Sequence, residues 1–192
     1  TGPQLIVPTT TWRNFSATLT TSTQNTAQFG IRASSLKNVV SVLREAALIN
    51  TQQAFSLTDY PRAYVNSYQT LLGSSYTPLR PLTTFPQMFA ELCKSFHFWA
   101  TQNPTKFNGN SYSRNTSGGL ADQKASFVLG TDFESMSRNK SDVVLGGVST
   151  LGTNNLQIML GHSQAPPVCQ IDSFMHIDSV LMFSGNQVSV QF

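Results

Sequence analysis

The sequence predicts an all-β chain, a two-sheet antiparallel sandwich or barrel with one helix set into it. Eight or more short segments alternate apolar or β-branched residues with polar ones, and Gly, Pro and Asn turn signals separate them. A single segment changes period: Phe85, Met88, Phe89, Leu92, Cys93, Phe96 and Trp99 recur at the spacing that lines one side of a helix. Long polar loops fill the remainder, and no internal repeat is present.

Taken in order, residues 4–8 form a short apolar stretch (Leu5, Ile6, Val7) closed by Pro8, and residues 9–23 set Trp12, Phe15 and Leu19 among threonines, which suits a half-buried strand. Residues 25–31 alternate Ala27, Phe29 and Ile31 against Gln28 and Gly30, as a partner strand would. Residues 34–47 fit both a helical stripe and a strand face. Val39, Val40 and Val42 lower helix propensity through stiff χ1 angles, so a strand is expected over 35–44 with a short helical or irregular exit through Ala47. Residues 53–60, 64–72 and 76–79 read as further strands, with breaks at Pro61 and Gly73. The helix is expected over about Phe85 to Trp99, with Thr84 at its cap, Pro86 in its first turn and Glu91 favouring the positive end of its dipole.

Beyond the helix, residues 102–123 are nearly free of apolar side chains and read as an exposed loop; residues 135–154 form a second. Between them, 125–134 alternates as a strand. The chain closes with strands at 155–161, 170–183 and 187–192, the last two joined by a tight turn at Gly185 and Asn186. The inward set of this terminal hairpin is Ile171, Met175, Ile177, Leu181 and Phe183, facing Val188 and Val190.

At 192 residues, one domain spanning 1–192 is expected. Charged residues make up only 11% of the chain and the formal net charge is +3, with the cations scattered singly from Arg13 to Lys140. That distribution lacks the clustered positive charge of a nucleic-acid binder. No apolar run reaches the length of a membrane-spanning helix. The sequence opens on Thr1 rather than Met, which suggests a processed product or a piece of a longer chain. Cys93 on the helix's apolar side and Cys169 before a strand are expected to be free thiols.

Candidate chemistry is sparse. The densest ligand cluster is Cys169, Asp172, His176 and Asp178, but period two places Asp172 about 13 Å from His176. Only His176 with Asp178 could share a metal, and the simpler expectation is a polar outer face with no metal and no cofactor. Residues 147–152 hold a serine among glycines without the spacing of a nucleophile elbow, and His97 and His162 have no serine or carboxylate at a telling distance. No catalytic residue and no enzyme activity are expected. The three Asn-x-Ser/Thr matches at Asn14, Asn115 and Asn139 are attributed to composition. Lys106, Phe107, Tyr112 and Arg114 mix aromatic and basic groups in the 102–123 loop and are the candidate interaction residues.

Three passages carry a family resemblance. Ser34 to Glu45, SSLKNVVSVLRE, is similar to a strand with a lysine after its start and an apolar run behind it. Tyr68 to Phe96, YQTLLGSSYTPLRPLTTFPQMFAELCKSF, offers a strand, a Gly-bearing turn, a Tyr-x-Pro element and an amphipathic segment. From Phe127 to Phe192, SFVLGTDFE, a polar loop, NLQIML and FMHIDSVLMFSGNQVSV follow as closing strands and hairpin. Their order resembles the C-terminal jelly roll of double jelly-roll major capsid proteins, found in polinton-like viruses, virophages and the nucleocytoplasmic large DNA viruses.

The resemblance implies an antiparallel two-sheet jelly roll, a structural virion role in an icosahedral capsid, and homotrimeric capsomers of pseudo-hexagonal outline. It also implies partners limited to further copies and other capsid proteins. Since the family carries two rolls per chain, one roll here implies either the second half of a longer chain or a single-roll penton (vertex) protein. A carbohydrate- or receptor-binding jelly roll is the alternative of another class, and an exposed Trp12, Trp99 or Tyr112 beside Asn or Asp would favour it.

Overall fold

A computed structural model describes residues 4–49, 65–96, 127–134, 146–152, 155–184 and 187–192. The expected strand at 53–60, the 102–123 loop and the Gly185–Asn186 turn lie outside them.

The described chain runs β1 (Gln4–Leu19), β2 (Gln24–Gly30), β3 (Leu36–Glu45), a 3-10 turn (Ala46–Leu48), β4 (Val65–Leu72), β5 (Ser75–Leu82), α1 (Phe85–Ser95), β6 (Val128–Asp132), β7 (Asn155–His162), β8 (Cys169–Ser184) and β9 (Gln187–Gln191). Every pairing is antiparallel. One sheet has the order β1-β8-β3-β6, with β9 also on β8; the other has the order β2-β7-β4-β5. Neighbours so far apart in sequence mean that the chain crosses repeatedly from sheet to sheet, which is the winding of a jelly roll. The sequence's all-β, two-sheet expectation is met.

The alternation of each strand shows why. In β2, Ala27 and Phe29 are buried while Thr26, Gln28 and Gly30 are exposed. Across the interior they meet β3 through Val39 and Leu43, β7 through Leu156, Ile158 and Leu160, and β8 through Ile171, Met175 and Ile177, in one apolar core. β3 is buried on both faces from Leu36 to Leu43. A strand covered on both sides needs no alternation, and this is why its sequence mimics a helical stripe.

Two edges explain the prolines. Among the described strands β1 pairs only with β8, at the sheet's edge, so Pro8, which has no N–H to donate, does not end it, and the two expected pieces merge into sixteen residues. β5 is the edge of the other sheet and accommodates Pro78 and Pro81, extending past the expected 76–79.

At the corner between β1 and β2 the buried Asn25 amide accepts from the Thr20 N–H (3.0 Å) and donates to the Ser22 carbonyl (2.6 Å). These bonds satisfy backbone groups that the turn leaves unpaired.

The helix ends earlier than expected, at Ser95, where the N–H of Phe96 bonds to the Leu92 carbonyl (3.2 Å); Trp99 lies outside the described residues. Gln87 accepts from the Thr84 N–H (3.3 Å), half of a capping box. Met88 and Leu92 are fully buried, whereas Cys93 is only half-buried and Phe96 is exposed. Glu91 is not in the first turn; it sits a turn further on and pairs with Lys94 at 2.8 Å, so it does not act on the helix dipole as expected. Beneath the helix lies Gly130 of β6, where a Cβ would come within 2.9 Å of Leu92 Cδ1 and 3.0 Å of its Cα. Glycine is what lets the helix approach the strand this closely.

A hydroxyl cluster crosses the core. Tyr68 on β4 bonds to Thr131 on β6, and Thr70 bonds to both, at 3.2 and 2.8 Å. Burial pushes the Tyr68 phenol above its ordinary pKa, against the opposite pull of the two threonine bonds. Cys93 and Cys169 are not joined in a disulfide, and burial raises the pKa of Cys93.

Candidate functional site

Strand alternation fixes what β8 presents to the two sides of its sheet. Ile171, Ser173, Met175 and Ile177 face the core, and Asp172, Phe174, His176 and Asp178 face outward. The sequence reads these outward groups as a polar, solvated face. Instead both carboxylates are buried, because each has been enclosed by side chains from neighbouring strands.

Asp172 accepts from Ser16 on β1 (2.7 Å) and Gln170 (2.7 Å) and pairs with Arg44 on β3. Burial by itself would raise its pKa, but the bonds from Ser16, Gln170 and Arg44, with the guanidinium charge, together bring it below the ordinary value. Six residues along, Asp178 accepts from Ser35 Oγ (2.6 Å) and lies 3.3 Å from Lys37 Nζ, which also reaches Glu134 at 3.3 Å. Lys37 can do this because the register between β3 and β8 slips by one residue between Leu36 and Asn38. The bulge re-aims the lysine toward the two carboxylates.

The two clusters tie β1, β8, β3 and the end of β6 together by side chains as well as by backbone. Beside them, the polar segment at 146–152 docks on the start of β3: Leu36 and Val148 exchange backbone bonds of 2.9 Å in both directions, and Thr150 Oγ1 accepts from the Ala33 N–H at 2.8 Å. A Cβ at Gly147 would stand 2.5 Å from the Leu36 carbonyl oxygen, so this seat requires glycine.

His176 and Asp178, the candidate metal pair, have separate partners. The His176 ring stacks on Trp12 with centroids 4.6 Å apart and planes 10° apart, and its Nδ1 lies 3.5 Å from Asn38 Nδ2. Asp178 is turned to Ser35 and Lys37. Among the described residues no three His, Cys, Asp or Glu side chains converge as a metal site would require. Both serines that touch these carboxylates donate to them and not to an imidazole, so neither is arranged as an activated nucleophile. His162 is buried at the end of β7, its ring nitrogens without a protein partner among the described residues, and burial pushes its pKa down. His97, Lys106, Phe107, Tyr112 and Arg114 lie outside the described residues.

What the sheet offers to other molecules is its flank. β1 leaves one edge unpaired by any described strand, and the far ends of β1 and β8 run on with β9 as a three-stranded ribbon. The register sets Leu5 opposite Phe183, Val7 opposite Leu181, Val190 opposite Leu181 and Val188 opposite Phe183, so all of them share one face. The sequence assigns Leu181, Phe183, Val188 and Val190 of this face to the interior. The structure corrects that for Phe183, Val188 and Val190, which are exposed, as is Leu5 beside them. Trp12, 49% exposed, stands on the opposite face. No helix among the described residues is long and apolar enough to cross a membrane.

No protein-family model and no curated protein matches the sequence. Solved structures do match the fold. The chain is similar to the Faustovirus major capsid protein, with 10% identity and a TM-score of 0.57 over 93% of this chain and 34% of that one. It is also similar to VP54 of PBCV-1, as fitted into a reconstruction of the virophage Sputnik, with 8% identity and a TM-score of 0.56 over 99% of this chain and 52% of that one. A third likeness is to a chain of the Sputnik virophage solved by cryo-EM, with 11% identity and a TM-score of 0.53 over 100% of this chain and 39% of that one. The chain thus spans about a third to a half of the length of these neighbours.

Proposed function

We propose that this chain is a structural, non-catalytic module of a viral capsid, one jelly roll of a major capsid protein that assembles as a homotrimer of pseudo-hexagonal outline in an icosahedral shell. The observation that carries the reading is the match of nearly the whole chain to roughly a third of the Faustovirus major capsid protein. A longer parent chain with a companion roll accounts for that proportion, and a single-roll penton protein is the variant reading. The partners are further copies and other capsid proteins, and the location is the virion.

The physical properties fit a rigid plate that packs against neighbours. Side-chain clusters clip the strands of one sheet together across its outer face. Charged residues make up 11% of the chain, so contacts with neighbours require little desolvation of ions. The test is to express the chain with the rest of its reading frame, size it by light scattering and image it by negative stain. Trimers of hexagonal outline are expected, and a strictly monomeric species at high concentration would end the reading.

A second reading has one observation in its favour. Trp12 is half exposed and stacked on His176, an aromatic platform of the kind that takes the apolar face of a sugar ring. Glycan-array binding that Trp12→Ala abolishes would favour it.

A further inference from the structure

β9 alternates cleanly: Val188, Val190 and Phe192 on one side, Gln187, Ser189 and Gln191 on the other. Such a pattern specifies one face for burial. Yet all five residues of the strand are exposed, and Val188 is 61% accessible. Its apolar face continues through Leu181 and Phe183 of β8 to Leu5 and Val7 of β1.

Two quantities describe what would cover it. The exposed apolar area of these side chains is on the order of 400 Å², comparable to the largest patch on a typical monomer and about half of one partner's share of a standard interface. That is the size of an interface core, which a polar rim completes; Thr9 and Thr11 of β1, half-buried on the same face, begin such a rim. The second quantity is charge. Residues 4–12 and 179–192 contain no charged side chain, and the nearest cation, Arg13, lies with its guanidinium 3.8 Å from the Phe192 ring centroid. A face whose one cation sits at its inner end, over Phe192, is complementary to a surface equally poor in ions, and a chain with 11% charged residues offers that surface itself.

On the premise that copies of this chain assemble with one another, we infer that the apolar face of the β1–β8–β9 ribbon, centred on Val188, Val190 and Phe183, is the docking surface for a second copy. Among the described residues no strand pairs with the outer edges of β1 and β9, so they can align by backbone pairing while the side chains interdigitate.

The test is sedimentation velocity across a wide concentration range on the wild-type chain, on Val188→Glu/Val190→Glu, and on Ser189→Glu, which puts the same charge on the opposite face. Circular dichroism checks that each is folded, and Val188→Thr/Val190→Thr stands in if the glutamate pair does not fold. Concentration-dependent association is expected for wild type and Ser189→Glu, and an association at least about tenfold weaker for the double variant. Association unchanged in the double variant would overturn this surface while leaving self-assembly standing. A wild-type chain that stays monomeric throughout would overturn both, and would assign the face to another segment or a different partner.

Discussion

β1 and β8 lie side by side over sixteen register pairs, and their two ends have opposite fates. At one end Leu19 is 2% exposed, closed in by the second sheet; at the other Leu5 is 62% exposed on the same face. The alternation does not change between them. What changes is coverage, because β2, β7, β4 and β5 are too short to follow the ribbon outward. A hydrophobic period therefore records which face is meant to be covered and not which molecule covers it.

The contrast can be sharpened by substitution at both ends. Ile171→Ala, at a fully buried position, should lower stability by about 3 kcal/mol through lost transfer energy and a residual cavity, whereas Val190→Ala on the ribbon should stay within about 0.5 kcal/mol in dilute solution. Urea titration of both measures the ratio, and equal losses would break the distinction between the two ends. Next in size, Gly130→Val should cost about 2 kcal/mol, since its side chain would meet Leu92 and Ser95 and lift the helix from β6. Loss of far-UV helical signal before the global transition would accompany it.

Asp172→Asn should cost about 1–2 kcal/mol, because Arg44 then keeps its charge with a neutral partner, and the penalty is tempered by the guanidinium's partial exposure. The folded-state pKa of Asp172 is below the unfolded value near 3.8, so its contribution is complete above that pH and is lost as the pH falls through the lower folded value. Acid unfolding of wild type should therefore be steeper than that of the variant in this window.

The smallest effect belongs to His162. Burial depresses its pKa, so the unfolded chain takes up a proton first as the pH falls below 6.5, and stability declines from there toward the folded value. His162→Phe should flatten that slope in thermal melts between neutral and mildly acidic pH.

Much of the fold was legible because its signals are local. Ala27 and Phe29, the valines of β3 and the hairpin's Ile171, Met175 and Ile177 each declare their face by period or composition. The helix was legible through Met88 and Leu92, but its end was not, since Phe96 continues the stripe while the backbone leaves it. The buried carboxylates were not legible either. Asp172 and Asp178 look like surface residues until Arg44 and Lys37 arrive from another strand, and the register slip that aims Lys37 is a property of pairing that no single segment displays. The exposed ribbon was misread for the complementary reason: Val188 and Val190 signal burial, and the sequence does not say by what.

The hydroxyl cluster of Tyr68, Thr70 and Thr131 bears on how the sandwich carries force. An oily seam alone would let one layer creep past the other at small cost, since hydrocarbon contacts have no preferred direction. Here a shift of one residue would strand a phenol and two alcohols in the interior, so the seam is keyed. Shear applied to one layer passes to the other through that key, and under strain the module should part first by peeling at its outer strands and not by slip along its middle.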